Sequence, residues 1–417
     1  MIKRFLNDSL LYVVAGVFTK GIVFFMLPLY VAYLSKEEYG IFDYILTIGS
    51  FLGVCIALEI SQSVIRFSSE HNDDQEKQFK YISNGLWFTL ISYSIFILIS
   101  SLFLESISIF LTGDKGNGSI VILALFSYLA TALMYFITVA YRSMLNAKAA
   151  TISSAMSAAL VASFSLLFIY SFELRLEALL ISLILGQSLV AISNIYMMRS
   201  MLIFKIDFEI LKTMLAFSFP LILSSLGVIM SLLVDRIMIK EMLTFEDLAI
   251  YGVAARFASL VGLLIMGFQS ALAPLIYSSL ENTNLNSNLK KMFFGYMVIA
   301  FTICLLLYYI SDELIEIVVG KSYIQSSEIM PLLALSVIIQ SAAMFFPGLS
   351  IVKKTHILAF INIFTGVFNI VLNYIMLPKY GVIGAAYSTL ITASLYLILN
   401  SYFSEKFYPL ISRVSIN

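Results

Sequence analysis

Three basic residues, Lys20, Arg236 and Arg256, lie inside long apolar segments of the chain. A charge within the hydrocarbon of a membrane is costly, and it usually faces a water-filled cavity or an opposite charge. Lys20 is about ten residues from either end of its segment, ~15 Å along a helix, so its side chain cannot easily reach water at a membrane surface. The three cations predict either an anion-binding cavity, suited to a phosphate group, or structural ion pairs.

Two carboxylates in or next to the apolar segments could take up a proton or bind a small cation. Glu59 and Arg66 are seven residues apart, which on a regular helix puts them on one face, two turns from each other. Arg66 could bind an anion, or it could be the basic flank of its segment. Asp235 precedes Arg236, and because helix neighbours do not face each other, each needs another partner. Glu59 and Asp235 could exchange a proton or sodium ion, or they could form structural pairs.

A stripe of amides marks the eleventh apolar segment. Asn362, Asn369 and Asn373 fall within ~40° of each other on a helical wheel. Their side chains could bind sugar hydroxyls, or they could join membrane helices by hydrogen bonds. Both interpretations stay open.

The elements that carry these residues are long apolar runs in a chain that is 60% hydrophobic and 12% charged. About 20 apolar residues cross a membrane as a helix. Twelve such runs occur, at approximately 10–33, 41–65, 82–104, 119–141, 151–171, 177–198, 214–239, 248–277, 292–310, 329–351, 356–377 and 382–403. Because backbone groups in lipid must be satisfied within each segment, the sequence predicts an all-α polytopic membrane protein with twelve transmembrane helices.

The distribution of Lys and Arg predicts the orientation. With the N-terminus inside, 16 of the 25 basic residues fall in cytoplasmic segments and six on the opposite side. Cytoplasmic loops carry the excess of positive charge, so both termini are predicted to be cytoplasmic. The formal net charge is +0 and no basic tail occurs, which excludes a nucleic-acid partner. Cys55 and Cys304 lie in apolar runs without metal-ligand spacing, so no metal or cofactor is expected.

Short sequence echoes indicate an internal repeat. The string LSKEEYG at 34–40 is echoed by LTFED at 243–247 and YG at 251–252, at offsets of 209 and 212 residues. A second echo pairs IFLTG at 109–113 with IVVG at 317–320. The sequence therefore predicts two six-helix halves, 1–205 and 206–417, which enter the membrane with the same orientation because six is even.

The same segments resemble a known family. Lys20-Gly21, Pro28-Leu29, YLSKEEYGIFDY (33–44) and VIRF (64–67) resemble the opening of Wzx-type polysaccharide flippases. The second half is similar to that family's second lobe and its last two helices, in FPLILSS (219–225), DRIM (235–238), YGVAAR (251–256), NIVLN (369–373), LPKYG (377–381) and IGAA (383–386). The resemblance covers nearly the whole chain.

The resemblance implies a member of the multidrug/oligosaccharidyl-lipid/polysaccharide (MOP) exporter superfamily, with two six-helix lobes around a cavity that opens alternately to each side. It implies a substrate of undecaprenyl-pyrophosphate-linked oligosaccharide, an O-antigen or capsule repeat unit of lipopolysaccharide or polysaccharide biosynthesis. This substrate would cross the bacterial inner membrane from the cytoplasmic to the periplasmic leaflet. Cavity cations would receive its head group, a proton or sodium gradient would drive transport, and the pathway's polymerase and chain-length proteins could form a complex with it.

Two other functions stay open. A drug/cation antiporter of the same superfamily would concentrate acids in its cavity. Here the three intramembrane cations are equal in number to the acids in apolar segments, Asp43, Glu59 and Asp235. A membrane polysaccharide polymerase would need a sizeable outward loop for its catalytic groups, and no outward segment here exceeds about twenty residues. The sequence therefore favours a transporter and not an enzyme.

Overall fold

The structure is a computed structural model that describes residues 16, 21–22, 24–71, 73–172, 174–278, 285–352 and 354–409. Within helices, it leaves out the side chains at 223–224, 226–232, 263–264, 266–271, 273–275, 277–278, 285–286 and 355. These described residues form helices and short connections, with no strand among them. Lys20 lies outside the described residues.

The chain divides into two compact units, Met1–Ile229 and Met230–Asn417. The first unit contains α1 Phe24–Tyr33, α2 Lys36–Ala57, α3 Ile60–Ser63, α4 Gln75–Ser101, α5 Leu104–Thr112, α6 Gly118–Ser143, α7 Ala147–Phe172, α8 Leu176–Met198 and the first part of α9 Phe208–Met242. The second contains the rest of α9, then α10 Phe245–Ser278, α11 Leu285–Val319, α12 Ser326–Ser341, α13 Gly348–Ile351, α14 Thr355–Tyr380 and α15 Val382–Phe407.

The division into units falls inside α9. The start of α9 belongs to the first unit because it is bound there by two contacts: the Ser63 hydroxyl donates to the Met214 carbonyl at 2.6 Å, and the Arg66 guanidinium lies 4.4 Å from the Phe217 ring centroid. The predicted halves 1–205 and 206–417 were divided after the sixth apolar run, without regard to these contacts. They stay a prediction.

Nine helices in the described part of the chain are long and apolar enough to cross a membrane. The predicted all-α polytopic membrane protein is therefore confirmed. The other three predicted spans coincide with the short apolar helix α1 and with α9 and α10. The number of twelve transmembrane helices stays a prediction.

Corresponding capping boxes begin α2 and α10. The Ser35 side chain accepts from the Glu38 amide while the Glu38 carboxylate accepts from the Ser35 amide. Thr244 and Asp247 make the same reciprocal pair before α10. Each box satisfies backbone amides that a helix start leaves without acceptors. The boxes are 209 residues apart, so the YG at 251–252 falls three residues beyond the position that matches 39–40.

One helix is central to each unit. In the first unit α6 packs against α2, α4, α5, α7 and α8, and residues of α3, α4 and α6 share a buried apolar core. In the second unit α12 packs against α10, α11 and α15, while α14 packs on α15. These contacts bring side chains of α9, α10, α14 and α15 within reach of each other.

The second apolar segment, 41–65, is interrupted in its last third. Leu58 (φ 48°) and Glu59 (φ 53°) take left-handed backbone conformations, which cost non-glycine residues roughly 1–2 kcal/mol each. They separate α2 from α3, and Val64–Ser68 then forms a π-helical turn. The prediction that Glu59 and Arg66 lie on one helical face is therefore wrong, because neither the break nor the π turn keeps the 3.6-residue repeat.

We expect Gly186→Ala to destabilise the first unit. A Cβ at Gly186 would lie 2.7 Å from the Val161 backbone nitrogen, so α7 and α8 would have to separate. Small residues allow such close helix approach in membranes, and overpacking typically costs about 1–3 kcal/mol. Thermal unfolding in detergent should show a lower midpoint for this variant. Gly366→Ala is the control, since its Cβ would meet nothing within 4 Å. A Gly186→Ala midpoint equal to that of the wild type would contradict the packing argument.

Candidate functional site

A buried carboxylate lies at the centre of the second unit. Asp235 on α9 is 2% exposed. Its Oδ2 atom accepts hydrogen bonds from the Tyr251 hydroxyl and the Thr389 hydroxyl, both at 2.7 Å, and its Oδ1 atom accepts from Asn373 Nδ2 at 2.6 Å. One carboxylate thus binds side chains from α10, α14 and α15. The expectation that Asp235 finds a partner other than Arg236 is confirmed.

Hydrogen counting shows that this cluster can hold one more positive charge. The Thr389 hydroxyl, which has a single hydrogen, lies near two acceptors, Asp235 Oδ2 and the Ala385 carbonyl at 2.9 Å. A protonated Asp235 would donate to Thr389 and free its hydrogen for Ala385. Asn373 Oδ1 is fully buried and makes no hydrogen bond in the described part of the chain. A cation near this oxygen would satisfy it.

The atoms in this cluster that could bind a cation are oxygens of carboxylate, amide, hydroxyl and carbonyl groups. Hard cations prefer such ligands, whereas transition metals select imidazole and thiolate. Asn369 Oδ1 extends the set, because it accepts from Asn373 Nδ2 at 3.1 Å. No group of three His, Cys, Asp or Glu residues that could hold a metal ion occurs among the described residues. The arrangement suits a proton or a sodium-like ion.

The two predicted cations of the second unit lie on α9 and α10. The Arg236 guanidinium is 5.7 Å from the centroid of the Tyr251 ring, so Arg236 borders the Asp235 cluster. Arg256 is half-buried on α10, one turn beyond Tyr251, and its backbone carbonyl accepts from Ser259. Head-group binding by either residue stays a prediction.

In the first unit, Arg66 lies at the π-helical turn. Its guanidinium forms an ion pair with Glu70 at 3.4 Å and contacts the rings of Phe217 and Phe67. The Arg66 side chain is 52% exposed, so the ion pair contributes little to stability. Its planar face is occupied by Phe217, while its exposed edge can still donate to an anion. The anion-binding role stays a prediction.

The remaining predicted site residues are dispersed. Glu59 is half-buried at the break between α2 and α3. Asn362 is half-buried on α14, whereas Asn369 and Asn373 on the same helix are buried and bonded as described. Their bonding matches the helix-joining interpretation, and a sugar-binding role for the stripe stays a prediction.

Sequence reasoning missed two members of the cluster, Tyr251 and Thr389. In the sequence, Tyr251 is marked only by the internal repeat and the YGVAAR motif, and Thr389 is one of many hydroxyls in the last apolar run. Thr389 is 154 residues from Asp235 in the chain. Nothing in local spacing connects them, so only the packing of α9, α10, α14 and α15 brings them together.

The architecture is shared with solved membrane transporters. "Lipid II flippase MurJ, inward closed conformation" matches with a TM-score of 0.73 at 17% identity, covering 95% of this chain and 87% of that one. An inward-facing multidrug resistance MATE family transporter of the MOP superfamily matches with 0.72 at 13% identity, covering 94% and 99%. The Vibrio cholerae MATE transporter VcmN matches with 0.65 at 16% identity, covering 99% and 100%. The chain therefore has the fold of MOP-superfamily transporters.

The family follows from the sequence profiles. Residues 5–280 match the family described as "Polysaccharide biosynthesis protein", and this chain belongs to that family. Residues 220–375 also match the MatE family. A curated relative, the "Probable low-salt glycan biosynthesis flippase Agl15" of Haloferax volcanii, is 22% identical over 405 residues, 96% of this chain and 84% of that protein. The resemblance to polysaccharide flippases of the MOP superfamily is confirmed.

Proposed function

We propose that this protein is a flippase for lipid-linked oligosaccharides, and that it carries undecaprenyl-pyrophosphate-linked repeat units from the cytoplasmic to the periplasmic leaflet of a bacterial inner membrane. The observation that carries the proposal is the family match over residues 5–280. The flippase names of Agl15 and MurJ support it. The distribution of Lys and Arg supports cytoplasmic termini.

The chemistry of the substrate explains the intramembrane cations. A pyrophosphate with about two negative charges cannot cross hydrocarbon unaided, so its path must provide cations or hydrogen-bond donors. Lys20, Arg236 and Arg256 are in apolar segments, and Arg66 is exposed beside one. We assign them to the head group, while the polyprenyl chain stays in lipid. The protein itself breaks no bond and so is not an enzyme.

The Asp235 cluster is the proposed ion-coupling site. A proton on Asp235 would let Thr389 donate to the Ala385 carbonyl, whereas a bound cation would contact the buried Asn373 Oδ1. Either ion would therefore change the hydrogen bonds that join α9 to α14 and α15. A transporter needs such a difference between states, because a ligand shifts an equilibrium only by its differential affinity. Both proton and sodium suit the site, and Glu59 is the second candidate carboxylate.

Loss of the gene in its own host tests the proposed function. Membrane lipids would be extracted and any accumulated polyprenyl-pyrophosphate oligosaccharide identified by mass, with a leaflet assay to locate it. Accumulation in the cytoplasmic leaflet is the expected result, and it would also identify the sugar. Single repeat units that reach the periplasm but stay unpolymerised would point to a polymerase instead.

A second candidate is a drug/cation antiporter. It is favoured by the MatE family match at residues 220–375 and by the MATE structures with the same fold. An unchanged lipid pool, intact surface polysaccharide and altered drug sensitivity after gene loss would support it over the flippase.

A further inference from the structure

An open apolar pocket of about 570 Å³ lies in the first unit, along one face of the start of α9. Its volume is within the range of ligand sites, ~300–1,000 Å³. Its walls include Leu58 from the break after α2, and Phe208, Leu211, Leu215 and Phe219 from α9. Lys212 is its one charged residue among those described. The pocket wall is therefore almost wholly hydrocarbon, to which Lys212 contributes its aliphatic stem.

Side chains of α4 hold the segment that leads into α9 by hydrogen bonds to its backbone. Asn84 Oδ1 accepts from the Asp207 amide at 2.8 Å, and Ser83 Oγ accepts from the Ile203 amide at 2.9 Å. Trp87 Nε1 donates to the Ile203 carbonyl at 2.9 Å. With the Ser63 contact to α9, these bonds form the pocket before any ligand arrives, which lowers the ordering cost of binding.

Large apolar side chains at both ends of the pocket are uncovered. Phe208 is 76% exposed and Phe219 is 64% exposed. They are eleven residues apart on α9, which spans ~16 Å. Rings exposed in this way lose the free energy that burial would provide, ~25 cal/mol per Å². A lipid hydrocarbon chain lying along this face would cover both rings.

The charge at the pocket indicates which amphiphile fits. Lys212 is exposed, and it makes no ion pair with any described residue. Glu209, the nearest acid in sequence, is not among the lining residues. One ammonium group beside an apolar channel complements one negative charge on a hydrocarbon chain. A phosphodiester carries one such charge, whereas a pyrophosphate would require more cations.

We propose that this pocket binds an anionic glycerophospholipid of the bilayer, with an acyl chain along Leu215 and Phe219 and the phosphate at Lys212. The lipid is a bound component of the protein and not its cargo. The proposal therefore does not depend on the proposed flippase activity, and its test requires no transport assay.

Native mass spectrometry of the full chain tests the lipid site. The protein would be released from vesicles of equimolar phosphatidylglycerol and phosphatidylcholine, and the retained lipid counted. The wild type should retain one phosphatidylglycerol in preference to phosphatidylcholine. Lys212→Gln should reduce that preference about tenfold, the usual effect of losing one charge-assisted contact. Ala216→Trp, which fills the pocket, should reduce retention of both lipids.

Lys290→Gln is the matched control, because Lys290 is an exposed lysine on α11 in the other unit. It should retain phosphatidylglycerol as the wild type does. Equal retention of the two lipids by the wild type, or undiminished phosphatidylglycerol in Lys212→Gln, would overturn the proposal. A third arm adds undecaprenyl pyrophosphate; if this displaces phosphatidylglycerol at low molar ratio, the pocket is a substrate site and the proposal fails.

Discussion

Asp235→Asn should uncouple transport from its driving ion while leaving the protein folded. The amide has nearly the same shape as the carboxylate, so the Tyr251 and Thr389 hydroxyls keep an oxygen acceptor, and the new Nδ2 group can donate to Asn373 Oδ1 once the Asn373 amide turns over. It cannot take up a proton, and it is a weaker ligand for a cation. The transport rate under an imposed gradient should fall about tenfold or more, within the usual range of coupling between two sites.

The measurement is uptake of lipid-linked oligosaccharide into proteoliposomes under separate proton and sodium gradients. The gradient that stimulates wild type but not Asp235→Asn identifies the coupling ion. Glu313→Gln is the control, since Glu313 is an exposed acid on α11. If Asp235→Asn responds to both gradients as the wild type does, Asp235 is not the coupling group. Asp235→Leu should instead destabilise the fold, because the Tyr251 hydroxyl and one hydrogen of Asn373 Nδ2 lose their acceptor at ~1–3 kcal/mol each, while Thr389 can still donate to the Ala385 carbonyl.

Removing the intramembrane cations should impair transport without preventing membrane insertion. Lys20→Ala and Arg256→Ala each delete one group predicted to meet the pyrophosphate. A charge-assisted contact in a low-dielectric path is worth ~1.5–3 kcal/mol, so each variant should lose about tenfold or more in transport rate.

The assay is complementation of the deletion host, scored by surface polysaccharide and by the amount of protein in the membrane. Lys291→Ala removes an exposed lysine from α11 and serves as the control. Arg256→Lys keeps the charge and should restore part of the activity, which a purely structural role for the guanidinium fork would not predict. Normal export by both alanine variants would exclude a cationic path for the head group, even though the family assignment would stand.

The helical membrane class was predictable because each apolar run is long enough to span a bilayer. The helix starts were less predictable, because the capping boxes at Ser35 and Thr244 begin α2 at Lys36 and α10 at Phe245, before the predicted runs at 41 and 248. The break at Leu58–Glu59 could not be foreseen, since neither residue is Gly or Pro and local propensity favours a continuous helix there. Packing around the π-helical turn overrides that propensity.

Parts of the candidate site were visible and others were not. Asp235 and the asparagines of α14 stood out as polar residues in apolar runs, and Asp235 was expected to need a partner other than Arg236. Their mutual contact was not predictable, because Asp235 and Asn373 are 138 residues apart and helix periodicity carries no information across that distance. The same limit applies to Arg66 and Phe217, which meet only because the start of α9 returns to the first unit.

The left-handed pair Leu58–Glu59 makes the last third of the second apolar segment an internal reporter of water access. The first amides of a helix have no acceptor within that helix, so the amides of Ile60 and Ser61 are less protected than those of a continuous span, whereas Gln62 donates to the Glu59 carbonyl at 2.9 Å. Amides deep in hydrocarbon exchange deuterium very slowly unless water reaches them and their hydrogen bonds open. Mass spectrometry can follow deuterium uptake at residues 59–62 while ion and substrate are varied. The uptake should record when water reaches the break between α2 and α3, without any added label.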